Sequence, residues 1–243
     1  MINKNVLVTG GNGMIGKRLV ELLEHKGANV HIADLPIDLR DRKTCKEVCE
    51  GMDIVFHLAG IKGSPQRTME QPASFSVPMI QFNANMIEAA QSYMKEHNWN
   101  RCSIVRPANV YGIDDDFGKW SMVIPSLIKK AVENDKLEVW GDGSPIRDLI
   151  YAEDVAQGMI HMVENKVTEP VNLASGTGVT IKEIAEIIAD YFDKEIVWDT
   201  DKPMGDMKRI MDTTRAESYG FKAQTTLKEG IEKTIEWYLE KNK

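Results

Sequence analysis

Apolar positions in the first two thirds of the chain alternate between two periods. Short β-branched runs at Asn5–Thr9, Asn29–Ala33 and Ile54–Leu58 read as strands, and rows spaced three or four apart read as helices. The first such row is Leu19, Val20, Leu22 and Leu23, directly after a glycine-rich turn. A short strand is expected near Ile37–Leu39 and a helix from about Asp41 to Glu50, which puts Cys45 and Cys49 on one face. Met79, Phe82, Met86, Ala89, Ala90, Tyr93 and His97 predict one long helix from about Pro78 to His97, leading into a strand at Ser103–Arg106. This alternation is that of βαβ units forming a parallel sheet.

Further on, the pattern predicts a helix near Met122–Glu133, a strand at Leu137–Trp140 and a polar loop, GDGSPIRD, from Gly141 to Asp148. A helix near Glu153–Glu164 and a strand at Val171–Leu173 follow. Thr180 reads as an N-cap with Glu183 completing a capping box. The last helix spans about Thr226 to Glu240, with Leu227, Ile231, Ile235 and Tyr238 as its core-facing stripe. No repeat or linker-like stretch interrupts the chain, so its C-terminal part reads as a small lobe packed on the sheet.

Candidate chemistry concentrates at the start, in VLVTGGNGMIG. Gly10, Gly13 and Gly16 are spaced three apart between a strand and a helix. That geometry lets backbone approach a pyrophosphate, whose charge meets free N–H groups and the positive end of the helix dipole. The fingerprint alone also fits a plain glycine turn. Asp34, eighteen residues after Gly16 at the end of the second strand, favours the dinucleotide. A carboxylate there accepts from a ribose diol and repels a 2′-phosphate, so NAD is expected over NADP.

Composition narrows the partners. With 42% hydrophobic content, the 243 residues suffice for one large α/β domain or a domain with an appendage. A net charge of −7 without a basic run argues against nucleic acid or a membrane surface. No leader-like segment is present, and no apolar run approaches the roughly 18 residues of a membrane span, so the cytoplasm is the expected location. Three cysteines without CxxC spacing, and histidines without HExxH, predict neither a disulfide framework nor a metal site.

The motifs VTGGNGMIG, HLAG (His57–Gly60), RPANVYG (Arg106–Gly112), VWGDGSPIRDLIYAEDVA (Val139–Ala156) and VNLASG (Val171–Gly176) together resemble one family. It is the extended short-chain dehydrogenases, the NAD-dependent epimerases and dehydratases of nucleotide sugars. KGSPQRTMEQPASFSVPMIQFNANMIEAA and VIPSLIKKA are similar to its GDP-fucose synthase branch, a group that generally uses NADP; Asp34 departs from that group. The resemblance implies an α/β fold with a Rossmann-type doubly wound parallel sheet and a small C-terminal substrate lobe. It implies one unit over 1–243, with 1–120 mainly dinucleotide-binding and 121–243 mixed. Gly10, Gly13, Met14, Ile15 and Gly16 would hold the pyrophosphate, Asp34 the ribose, Asp38 and Leu39 the adenine edge, and Leu58, Ala59 and Gly60 the middle of the cofactor. Pro107, Asn109 and Val110 would lie beside the nicotinamide. A GDP- or UDP-sugar would meet Asn109, Val123, Lys130, Trp140, Arg147 and Arg209. For Trp140 the alternative is a core aromatic at a strand end, and for Arg147 a local pair with Asp148.

The family's catalytic signature is a tyrosine with a lysine four residues later and a Ser or Thr on the preceding strand. The residues four beyond Tyr93, Tyr111, Tyr151, Tyr191, Tyr219 and Tyr238 are His97, Asp115, Val155, Glu195, Ala223 and Asn242. No tyrosine has its lysine. Against the family, one strand and the catalytic helix are missing between Ala90 and Ser92, so the sheet is expected to be one strand-helix unit short. A complete βα repeat can be lost while a right-handed crossover from Leu58 to Ser103 is kept. Met122 stands where the GDP-fucose synthases place a histidine acid. Three readings remain open: an enzyme using Lys62, Tyr111, His57 or Asp114–Asp116 as substitute acid or base, a binding module without turnover, and an internally deleted enzyme. Two helices of the family's four-helix dimer would here be fused, so a monomer or a homodimer on another face is expected.

Overall fold

The computed structural model describes residues 1–61, 65–96, 102–118, 121–202 and 204–243, and within them no side chains at 65–67, 93, 94 or 96. Lys62 and His97 lie outside the described residues. The chain divides into two compact units, Met1–Cys102 and Ser103–Lys243.

The first unit runs β1 (Asn5–Thr9), α1 (Met14–His25), β2 (Asn29–Ala33), α2 (Arg42–Cys49), β3 (Ile54–His57), α3 (Pro65–Glu70) and α4 (Pro72–Glu96). The three strands form a parallel sheet in the order β2-β1-β3, with Val8 opposite both Ile32 and Phe56. Leu7 packs with Cys45 and Cys49 of α2 and with Phe82, Met86 and Ala89 of α4. Because neighbouring residues of a strand face opposite ways, Val6 and Val8 point to the other side of the sheet; both are fully buried.

Two expectations here are corrected. Ile37–Leu39 is not a strand: Ile37 N–H bonds to Asp34 O and Asp41 N–H to Asp38 O, so this stretch is two successive turns, anchored by the buried Leu39. The long helix begins at Pro72 rather than Pro78, and Pro78 lies inside it. A proline is at home in a helix's first turn, and an interior one removes a single backbone donor without ending a helix that other contacts hold. The opposite side of α4 leaves Val77, Ile80 and Ile87 exposed.

The second unit comprises β4 (Val105–Pro107), β5 (Asn109–Tyr111), α5 (Val123–Glu133), β6 (Leu137–Trp140), β7 (Ile146–Tyr151), α6 (Ala152–Glu164), β8 (Val171–Leu173), β9 (Gly178–Thr180), α7 (Ile181–Phe192), β10 (Ile196–Asp199), β11 (Lys208–Arg209), α8 (Thr214–Ser218) and α9 (Leu227–Lys241). The pairs β4-β8, β5-β7, β6-β10 and β7-β11 are parallel, and β7-β9 is antiparallel. Ile231, Ile235 and Tyr238 of α9 join a core with Ile124, Leu127 and Ile128 of α5 and Ile184 and Ile188 of α7. Thr180 and Glu183 form the expected capping box. The expected loop Gly141–Asp148 is corrected: its last three residues open β7, a buried strand flanked by three others.

Candidate functional site

In the first unit the turn after β1 is shaped by close backbone approach. A Cβ on Gly16 would stand 2.1 Å from Gly10 O, and one on Gly10, whose φ is +70°, would stand 2.9 Å from Ala59 N. Both positions therefore require glycine. Gly13 is the N-cap of α1 and offers no side-chain acceptor, so the first-turn amides of Met14, Ile15 and Gly16 keep their donors at the positive end of the helix. A pyrophosphate fits this cradle, where Gly10 and Gly16 leave no room for a side chain.

Asp34 sits just past β2, where its carboxylate accepts from Asn12 N at 2.9 Å and Leu35 N at 2.8 Å. These two bonds fix it beside the glycine turn and leave each oxygen a further lone pair. Asp38 is engaged by Arg40 through Nε at 2.8 Å and Nη2 at 2.7 Å, and the hydrogen bonds from Arg40 lower its pKa to about 2. Leu39 turns its side chain into the core. Leu58, Ala59 and Gly60 leave β3, and the amides of Leu58 and Ala59 both donate to Thr9 Oγ1 at 3.2 Å.

In the second unit a cavity of about 330 Å³ opens between β5, α5, β6 and β7. Its lining brings together Asn109, Val110, Val123, Lys130, Trp140 and Arg147, borne on four different elements. Arg147 is half-buried and its Nη1 donates to the carbonyls of Ile146 at 2.9 Å and Asp206 at 2.6 Å. Asp148 does not pair with it; that carboxylate accepts instead from Ser175 N, Ser175 Oγ and Met211 N. Among the described residues no carboxylate neutralises Arg147. Lys130 Nζ lies 3.3 Å from Glu138 Oε1, which also accepts from Trp140 Nε1 at 3.3 Å. The Lys130 hydrogen bond, then its charge, then the Trp140 bond hold the Glu138 pKa below its ordinary value. Trp140 is 50% exposed, which excludes the core-aromatic alternative. The first turn of α5, without a side-chain cap, also faces the cavity.

Arg209 does not line the cavity. It pairs with Asp206 and lies beside Arg147 in the β7-β11 register. Pro107 ends β4. Met204, also in the lining, was not signalled by the sequence, because it reaches the cavity from the segment between β10 and β11. Of the substitute acid–base groups, Tyr111 is 3% exposed and donates to Leu227 O at 3.4 Å. Burial pushes its pKa well above the ordinary phenol value, opposite to what proton abstraction at neutral pH requires. His57 is held by Thr9, and burial lowers its pKa. Asp115 is buried and accepts from Asp116 N, whose own carboxylate accepts from Gly118 N. Among the described residues no group of three His, Cys, Asp or Glu could hold a metal, and no helix is long and apolar enough to cross a membrane.

A parallel β-α sheet with a glycine cradle and a carboxylate after its second strand defines a dinucleotide-binding α/β protein. The sequence profile of the NAD dependent epimerase/dehydratase family matches residues 6–97 and 86–174, and the chain belongs to that family. It is 37% identical over 163 residues to a putative GDP-L-fucose synthase 2 of Arabidopsis thaliana, a match covering 63% of this chain and 49% of that protein. The chain thus spans about half the length of relatives of this kind. It is 26% identical over 304 positions to the GDP-L-colitose synthase of Yersinia pseudotuberculosis, covering 98% and 99% of the two chains. The solved GDP-L-fucose synthetase of Naegleria fowleri bound to NADP shares the fold with a TM-score of 0.85 at 21% identity, covering 100% of this chain and 94% of that one.

Proposed function

We propose that this chain binds a nicotinamide dinucleotide and a nucleotide diphosphate-sugar but lacks the family's Ser/Tyr/Lys machinery, so that turnover lies near background. The observation that carries the reading is the Arg147 guanidinium, facing the cavity with two carbonyl partners and no described carboxylate. An uncompensated guanidinium and an uncapped helix start favour an anion, and a planar fork matches a diphosphate. The cavity is of the size that a small ligand fills.

Support for a lost strand-helix unit comes from three sides. No tyrosine is followed by lysine at the fourth position. The two stretches matched by the family profile overlap at residues 86–97, within and just after the end of α4. An alignment of 304 positions with a chain of 243 residues leaves at least 61 positions that no residue of this chain fills. The nicotinamide, when bound, supplies hydride chemistry. The chain's own contribution is to bind and orient, because neither Tyr111 nor His57 is set up to move a proton.

NAD is the preferred dinucleotide on this reading, because a carboxylate after the second strand accepts from a ribose diol and repels a 2′-phosphate, and Asp34 is such a carboxylate. Calorimetric titration with NAD, NADP, GDP and UDP tests both sites, and steady-state assays with GDP- and UDP-sugars test turnover. Binding without turnover is expected. Rates of about 1 s⁻¹ or more overturn the non-catalytic reading and redirect attention to Lys62 and Asp114–Asp116. In the same samples light scattering tests the expected monomer or homodimer on another face, and a dimer paired through α4 as in the family's four-helix bundle overturns it.

A further inference from the structure

We propose that His57 is a positioning residue for the dinucleotide, acting through the Thr9 hydroxyl as a neutral imidazole with its proton on Nε2. The inference rests on the cofactor reading above. It follows from counting the partners of one buried atom. Thr9 is fully buried, and its Oγ1 lies 2.6 Å from His57 Nδ1 and 3.2 Å from the amides of Leu58 and Ala59. A hydroxyl has one proton and two lone pairs. The two amides can only donate, so they take the lone pairs, and the Leu58 amide is shared with Thr9 O at 3.1 Å. Among the described residues the hydroxyl proton then has one acceptor left, His57 Nδ1. A protonated Nδ1 would bring three N–H groups onto one oxygen and leave the hydroxyl proton without an acceptor.

Nδ1 is therefore bare, and the ring proton is on Nε2. That nitrogen is buried, among the described residues it has no partner at full hydrogen-bond geometry, and the ring meets Phe82 of α4 edge-on, with centroids 6.1 Å apart. Such a site disfavours a charged ring. Burial lowers the His57 pKa, and a weaker side-chain hydrogen bond with Asn83 acts in the opposite sense; because the Asn83 amide nitrogen donates to Met79 O, its oxygen is the atom left to accept, which also suits a proton on Nε2.

The Leu58–Ala59 peptide is fixed on one side by the Thr9 hydroxyl and on the other by Gly10, whose added Cβ would stand 3.0 Å from Leu58 C. His57 thus sets the rotamer of Thr9, and Thr9 sets the peptide against which the phosphate-binding turn is packed.

The experiment uses the full chain. Nitrogen-15 NMR of the unliganded protein is expected to show His57 with a bare Nδ1 and a protonated Nε2; the opposite tautomer, or a charged ring at neutral pH, overturns the geometry. In calorimetry His57→Phe is expected to raise the NAD dissociation constant roughly tenfold, the size of one hydrogen bond's contribution. Thr9→Val should do at least as much, and the double variant no more than Thr9→Val alone. His57→Gln, whose side-chain oxygen can accept from Thr9, should recover part of the loss. GDP affinity, read in the second unit, should stay within about twofold in all variants, which a generally destabilised fold would not allow. An unchanged NAD constant in His57→Phe, or losses that add, overturn the positioning role. A wild-type chain that binds neither NAD nor NADP overturns the cofactor reading and the positioning role with it, while the tautomer still decides the hydrogen-bond count.

Discussion

The glycine turn of the first unit and the cavity of the second are built from different materials. In the turn nearly every element is backbone: amides at the start of α1, a carbonyl at Gly10, a peptide at Leu58–Ala59. Asp34 and Thr9 are the side chains that matter. In the cavity the elements are side chains borne on separate strands and a helix, with Arg147 steadied by a carbonyl 59 residues further along, at Asp206. A backbone site tolerates almost no added atom, whereas a side-chain site changes its preference with each substitution. The first should fail abruptly and the second by degrees.

The largest effect is expected at Gly16→Ala. The new Cβ would meet Gly10 O at 2.1 Å, so the turn must move, with a cost of at least about 2 kcal/mol and a loss of NAD affinity of roughly a hundredfold. GDP affinity measured beside it should hold. A comparable fall in both would break the contrast between the two sites.

Arg147→Ala comes next. Loss of charge-assisted hydrogen bonds should weaken GDP or UDP binding by about 10- to 100-fold in calorimetry. Arg147→Lys should restore little, because an ammonium lacks the planar fork. Full recovery by lysine would mean that only charge is read. Smaller again is Asp34→Ala, expected to shift the NAD/NADP affinity ratio about tenfold toward NADP; an unmoved ratio removes Asp34 from the ribose.

The smallest effect is one of stability. Thr180→Ala removes a side-chain acceptor from Glu183 N and should cost about 1 kcal/mol in denaturant unfolding. In the capping box Glu183 accepts from Thr180 N and Oγ1, which lowers its pKa from the ordinary 4.5. Its contribution is therefore complete above that unfolded value and is lost as pH falls through the lower folded one. A contribution that grew on acidification would have the wrong sign.

The sequence revealed these two regions unequally, for the same physical reason. Strands Asn5–Thr9 and Asn29–Ala33 and the capping box at Thr180 are local, set by periodicity and by residues three apart, and their expected bounds match the structure. β7 was hidden because Gly141, Gly143 and Pro145 announce a loop that ends only as the chain meets β5, β9 and β11, contacts with no local trace. Arg147 was marked by its motif, yet its partners Ile146 O and Asp206 O carry no signature in composition or spacing. The early start of α4 at Pro72 was masked by Pro78, a residue that usually marks a beginning.

Gly10 and Gly16 also bear on how such a chain changes over generations. Their lack of a side chain is demanded by Ala59 N and Gly10 O within the folded unit itself. Selection for a soluble, folded product would hold them in place even after every catalytic demand had lapsed. The glycine fingerprint is therefore a poor clock for the loss of activity. The informative positions are those, like Arg147, where a different side chain would meet no backbone clash.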